Sequence, residues 1–159
     1  MNLTRELAYA APVPTVLAML QDPAFWDQVA AATGARESRT TVDRIGDVVE
    51  VVTDQQQDVV GVPSFAKRFV GESTQAIVRQ TWRGEEAGYV VDSPGKPISI
   101  SGSATVTASA AGSVLTYDLD VKAGVPLVGG KLEKLVCDLT AEGLEKEHAV
   151  GVRWLADRG

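Results

Sequence analysis

The sequence predicts an α+β fold: a curved antiparallel sheet of about seven strands wrapped around one long C-terminal helix, with two short helices after the first strand. Three observations carry this. An alternating segment at the N-terminus runs into helix-start signals, turn residues recur about every ten positions from Arg36 to Ala123, and an amphipathic run extends from Leu127 to Ala156. A single helix cannot cover a broad sheet unless the sheet curls around it, so a hollow between the two is expected.

The first strand is read from Leu3, Arg5, Leu7 and Tyr9 alternating with Thr4, Glu6, Ala8 and Ala10, and it ends at Pro12. Pro14 suits the first turn of a short helix through Val16, Leu17 and Leu20. Asp22 then caps a second helix, with Pro23 at its first position and Gly34 just past its end. The expected meander comprises Glu37 to Ile45, Val48 to Gln56, Ser73 to Arg83, Ala87 to Asp92, Ile98 to Ala108 and Val114 to Ala123. Turns fall at Gly46-Asp47, Gly84-Glu85, Ser93-Pro94-Gly95 and Ala111-Gly112. Ile98, Ile100, Gly102, Ala104, Val106 and Ala108 mark a buried face, with Gly102 and Ala104 leaving space for a hollow or a close helix contact. Leu115, Tyr117, Leu119 and Val121 repeat the pattern in the next strand.

In the terminal helix, about 45 Å long at 1.5 Å per residue, Val128, Leu132, Leu135, Val136, Leu139, Val150 and Trp154 share one stripe expected to face the sheet. Gly143 lies in that stripe, where packing or a bend would explain it. Cys137, Leu144 and Leu155 form a weaker apolar line opposite, suggesting a weak homodimer contact.

At 159 residues the chain fits one domain spanning 1–159, and 45% apolar with 23% charged residues is ordinary globular usage that disfavours disorder. A net charge of −6 with no basic stripe argues against a nucleic-acid partner. No apolar run reaches membrane-spanning length and no apolar leader follows Met1, so a cytoplasmic protein without integral membrane association is expected. One cysteine excludes an intramolecular disulfide and any CxxC site.

No cofactor or metal is expected. Cys137 and His148 stand eleven positions apart on one helix, about 16 Å along its axis, too far for a nucleophile and its base. Gly124 to Lys131 lacks phosphate-loop spacing. Phe65 and Phe69, at helical spacing, read as a connector packed into the core, the alternative being a flap over a pocket mouth. Lys67 and Arg68 beside them permit a weak interfacial membrane contact. Gln80 shares a strand face with Ala76, Val78 and Trp82, and a buried amide there needs a partner: a ligand, water or another side chain.

Ala11-Pro12-Val13-Pro14-Thr15-Val16, Asp22-Pro23-Ala24-Phe25-Trp26, Val62-Pro63-Ser64-Phe65-Ala66, Phe69-Val70-Gly71-Glu72 and Gly124 to Glu133, in this element order, resemble the START-like (SRPBCC) superfamily. The likeness covers essentially the whole chain, and within that superfamily it points to an uncharacterised bacterial subfamily. It implies a helix-grip, or birch-pollen-allergen-like, fold with an apolar cavity between sheet and terminal helix. No catalytic residues of the superfamily's cyclases or iron-binding relatives carry over.

The expected function is therefore binding or transport of a hydrophobic small molecule or lipid. The expected lining is Val51, Phe65, Phe69, Val78, Gln80, Trp82, Tyr89, Ile100, Tyr117, Leu132, Leu135 and Leu139. A polyketide cyclase/dehydratase-like enzyme is the first alternative, with Asp54, Asp92 and Tyr117 as the acid-base candidates. A protein-interaction module with a filled core is the second.

Overall fold

The computed structural model describes residues 1–158. Among them the order is β1 (Asn2–Tyr9), α1 (Val13–Leu20), α2 (Pro23–Ala32), β2 (Ala35–Ile45), β3 (Val48–Asp58), α3 (Ser64–Val70), β4 (Ser73–Arg83), β5 (Glu86–Asp92), β6 (Ile98–Ser109), β7 (Gly112–Ala123) and α4 (Gly129–Arg158). The strands form one antiparallel, curved sheet in the order β1-β7-β6-β5-β4-β3-β2. The meander follows the chain from β2 to β7, and β1 joins the far edge beside β7, with Leu3 opposite Leu119 and Leu7 opposite Leu115.

Helix α2 starts as its sequence demands: Asp22 accepts a hydrogen bond from the Ala24 amide at 2.9 Å, and Pro23 follows. Trp26 Nε1 donates to the Leu20 carbonyl at 2.8 Å, locking α2 against α1. Phe25, fully buried, meets Trp26 and Trp154 edge-on, so α2 and the C-terminal part of α4 share one aromatic cluster.

The burial of α4 corrects the expected stripe. The helix packs on α2, β1 and β7, and it buries Leu132, Val150 and Trp154 of that stripe together with Cys137, Ala141, Leu144, Glu147 and Gly151 beside it. Leu139 is 47% exposed, while Leu135 and Val136 are half-buried. The sheet-facing side is thus turned by roughly a quarter of a revolution from the most apolar stripe at 100° per residue. The cause is position: α4 lies over one end of the sheet, so the residues toward β1 and β7 are buried whatever their hydrophobicity. Cys137 and Leu144 belong to this intramolecular contact, which removes two of the three residues of the expected homodimer line. His148, half-buried, donates from Nε2 to the Ala8 carbonyl at 2.7 Å and tilts its ring against Tyr9.

Two glycines differ from expectation in the same way. The close approach of α4 occurs at Gly151, where an added Cβ would sit 2.7 Å from the Tyr9 ring, whereas a Cβ at Gly143 meets nothing within 4 Å. Gly102 opens no space either: a Cβ there would strike the Asp118 carbonyl of β7. Its missing side chain lets β6 and β7 approach.

Candidate functional site: a cavity floored by Glu147

Because α4 covers the β1/β7 end, the inner faces of β3, β4 and β5 meet the N-terminal half of α4 across open space. A cavity of about 520 Å³ lies there. Its walls come from Thr53, Gln55 and Gln57 of β3, Ala76 and Val78 of β4, and Tyr89 and Val91 of β5. Leu132, Leu135, Val136, Leu139 and Gly143 of α4 face them, and Trp26, Val29 and Ala30 of α2 close one side. Val59, Val60 and Val62 precede α3 at the rim, and Val70 ends it. The apolar stripe of α4 is therefore explained: half of it faces a void.

Of the expected lining residues, Val78, Tyr89, Ile100, Leu132, Leu135 and Leu139 stand on the cavity wall. Val51, Gln80 and Trp82 are buried in the packed core outside that wall. The partner of the Gln80 amide is internal, since Trp82 Nε1 donates to Gln80 Oε1 at 3.1 Å. Phe65 and Phe69 are half-buried and off the wall, because α3 turns Ala66 and Val70 inward. Lys131 Nζ lies 5.4 Å from the centre of the Phe65 ring, tying α3 to the start of α4.

Among the acid-base candidates, Asp54 and Asp92 are exposed, and Asp54 accepts from Gln75 Nε2 at 2.9 Å on the outer surface. Alternation along β3 and β5 sends these carboxylates to the solvent face. Tyr117 is buried just behind the wall, and its hydroxyl donates to Glu147 Oε2 at 2.7 Å. Glu147, missed from the sequence, is only 5% exposed and lines the cavity. A signal for it exists: it lies four residues after Gly143 and three before Val150, a charge at the edge of the apolar stripe.

Burial raises the Glu147 carboxyl to about 7, against the opposing influence of the Tyr117 hydrogen bond. Tyr117 is held well above the ordinary phenol range by burial and by the Glu147 charge. Tyr89, edge-on to Tyr117 at 5.4 Å, and Tyr9 of β1 are raised for the same two reasons. Glu147 on the wall is thus backed by three phenols, of which Tyr89 alone shares the wall, and no salt bridge involves Glu147 among the described residues. No group of three or more potential metal ligands gathers among the described residues. Nor is any helix among them long and apolar enough to cross a membrane.

Solved structures share this architecture. TTHA0849 from Thermus thermophilus is 17% identical with a TM-score of 0.69, and the match covers 100% of both chains. The di-domain ARO/CYC StfQ from the steffimycin biosynthetic pathway is 12% identical with a TM-score of 0.70, over 99% of this chain and 51% of that one. Ms6760 from Mycobacterium smegmatis is 16% identical, TM-score 0.60, over 99% of this chain and 92% of the other. At these identities the likeness is one of fold. No curated protein matches the chain. A family model described as protein of unknown function, DUF2505, matches residues 4–155.

Proposed function

The chain belongs to the DUF2505 family, whose function is unknown, and we propose that it binds or carries a hydrophobic small molecule or lipid in the cavity between β3–β5 and α4. The observation that carries this reading is the cavity of about 520 Å³, walled mainly by apolar side chains contributed by both sheet and helix. The same observation counts against a filled-core interaction module. Burying about 300 Å² of apolar ligand surface at ~25 cal/mol per Å² gives roughly 7 kcal/mol before ordering costs, enough for micromolar-range binding at best. Val78, Tyr89, Ile100, Leu132, Leu135 and Leu139 would supply that surface.

Gly143 provides the test, since it lines the cavity and a Cβ added there meets nothing within 4 Å. A neutral apolar dye such as Nile red should bind the wild type and lose its fluorescence enhancement with Gly143→Leu, while the melting temperature does not fall. Absence of dye binding by the wild type, or equal binding by the filled variant, would refute the reading.

One observation favours a second reading, acid-base chemistry of the cyclase or dehydratase type. A cavity carboxyl raised to about 7 is suited to moving a proton at neutral pH. Glu147 rather than Asp54 or Asp92 would then be the acid-base group. A ligand recovered chemically altered after incubation with wild type, and unaltered after incubation with Glu147→Gln, is the expected result. Alteration by both proteins would exclude that role.

A further inference from the structure

The floor of the cavity is chemically one-sided, and this deepens the binding reading on which it rests. Glu147 Oε2 is taken by the Tyr117 hydroxyl, while Oε1 has no hydrogen-bond partner among the described residues although the side chain lines the cavity. Of the other polar wall residues, Gln55, Gln57, Ser93 and Thr140 are half-buried and neutral and bring no charge to the cavity. Thr53 Oγ1 is 2.9 Å from Thr40 Oγ1. The cationic Lys146, at the exposed outer part of the wall, lies 3.5 Å from Glu142. Tyr117 from β7, Tyr89 from β5 and Tyr9 from β1 face Glu147, and none is a cation.

An oxygen that opens onto the cavity with a free lone pair is available to a ligand's donor, and an anionic ligand beside the Glu147 carboxylate would meet repulsion with no cation facing it. We propose that Glu147 Oε1 anchors the hydrogen-bond-donating head group, an amine or a hydroxyl, of an otherwise apolar ligand, and that the cavity rejects carboxylates of the same size. Tyr117 is a positioning residue in this arrangement, fixing the carboxylate so that Oε1 is the oxygen presented.

The experiment is displacement of Nile red by decylamine, decanol and decanoate at about pH 8, where Glu147 is ionised, from wild type, Glu147→Gln and Glu147→Leu. With the wild type, decylamine and decanol should displace the dye at concentrations about tenfold lower than decanoate. Glu147→Gln should weaken decylamine and strengthen decanoate while leaving decanol near its wild-type value, because an amide oxygen still accepts from a hydroxyl. Glu147→Leu should weaken decanol as well. Dye binding with one order of affinities in all three proteins would overturn the head-group inference and leave the cavity reading standing. Failure of the wild type to bind the dye would take down both. Dye affinity itself, retained by the variants, reports that they are folded.

Discussion

The two ends of the sheet are built for different tasks, and α4 serves both. Over β1 and β7, the helix brings Cys137, Ala141, Leu144, Gly151 and Trp154 into contact, and α1 and α2 complete a packed block around Phe25. Over β3, β4 and β5 the same helix presents Leu132, Leu135, Val136 and Leu139 to a void. The touching side includes the small residues Cys137, Ala141 and Gly151, and the apolar side chains held over the void are leucines and a valine. Stability and ligand capacity are therefore divided along one helix, and substitutions at the two ends should differ in kind.

The largest expected effect is at the packed end. Phe25→Ala should cost about 3–5 kcal/mol in urea unfolding, because the ring is fully buried between Trp26 and Trp154. Leu139→Ala, on the cavity rim, should change stability by less than about 0.5 kcal/mol. Similar costs at both positions would abolish the distinction.

Glu147 sits at the boundary between the two ends and should appear as a pH dependence. Its folded value of about 7 exceeds the ordinary 4.5, so the folded chain keeps a proton that the unfolded chain releases between those values. The stabilisation from that proton is fully present below about pH 4.5 and is lost as pH rises through about 7, amounting to about 3 kcal/mol. Glu147→Gln should flatten this part of the stability profile between about pH 5 and pH 8. An identical profile in the variant would place the titration elsewhere.

Two glycine replacements sharpen the contrast further, since their effects should have opposite signs. Gly151→Ala should destabilise by about 1–3 kcal/mol, because its methyl would press on the buried Tyr9 ring at 2.7 Å. Gly143→Ala, meeting nothing within 4 Å, should stabilise by about 0.5–1 kcal/mol through helix propensity. Thermal denaturation of both variants under one condition decides it, and a shared sign would argue that the helix is equally close at both positions.

Much of this architecture is legible in the sequence for simple reasons. Period-2 alternation in Ile98–Ser109 and Gly112–Ala123, glycines at Gly46, Gly84 and Gly95 with positive φ, and the Asp22-Pro23 helix start are local signals with one physical meaning each. The face of α4 is not a local signal. A helix apolar toward both a contact and a void shows a broad stripe, and periodicity alone cannot say which part touches the sheet. Gln80 illustrates the same limit: its burial is legible, but its partner is two residues along the same strand face, at Trp82. Glu147 is hidden differently, because beside Glu142, Glu145 and Lys146 one more charged residue on a helix is ordinary. Only the placement of Tyr117 and Tyr89 opposite it makes it a site.

The pairing of β1 with β7 carries a consequence for assembly. Asn2 lies opposite Asp120, so the first strand has no neighbour until more than a hundred further residues have been made. As the chain emerges from a ribosome, hairpins from β2 to β6 can close while their counterpart at the far edge waits. The firm end of the molecule is thus completed last, and newly made chains pass through a stage with a hydrophobic strand in search of its mate, the interval when chaperone contact matters most.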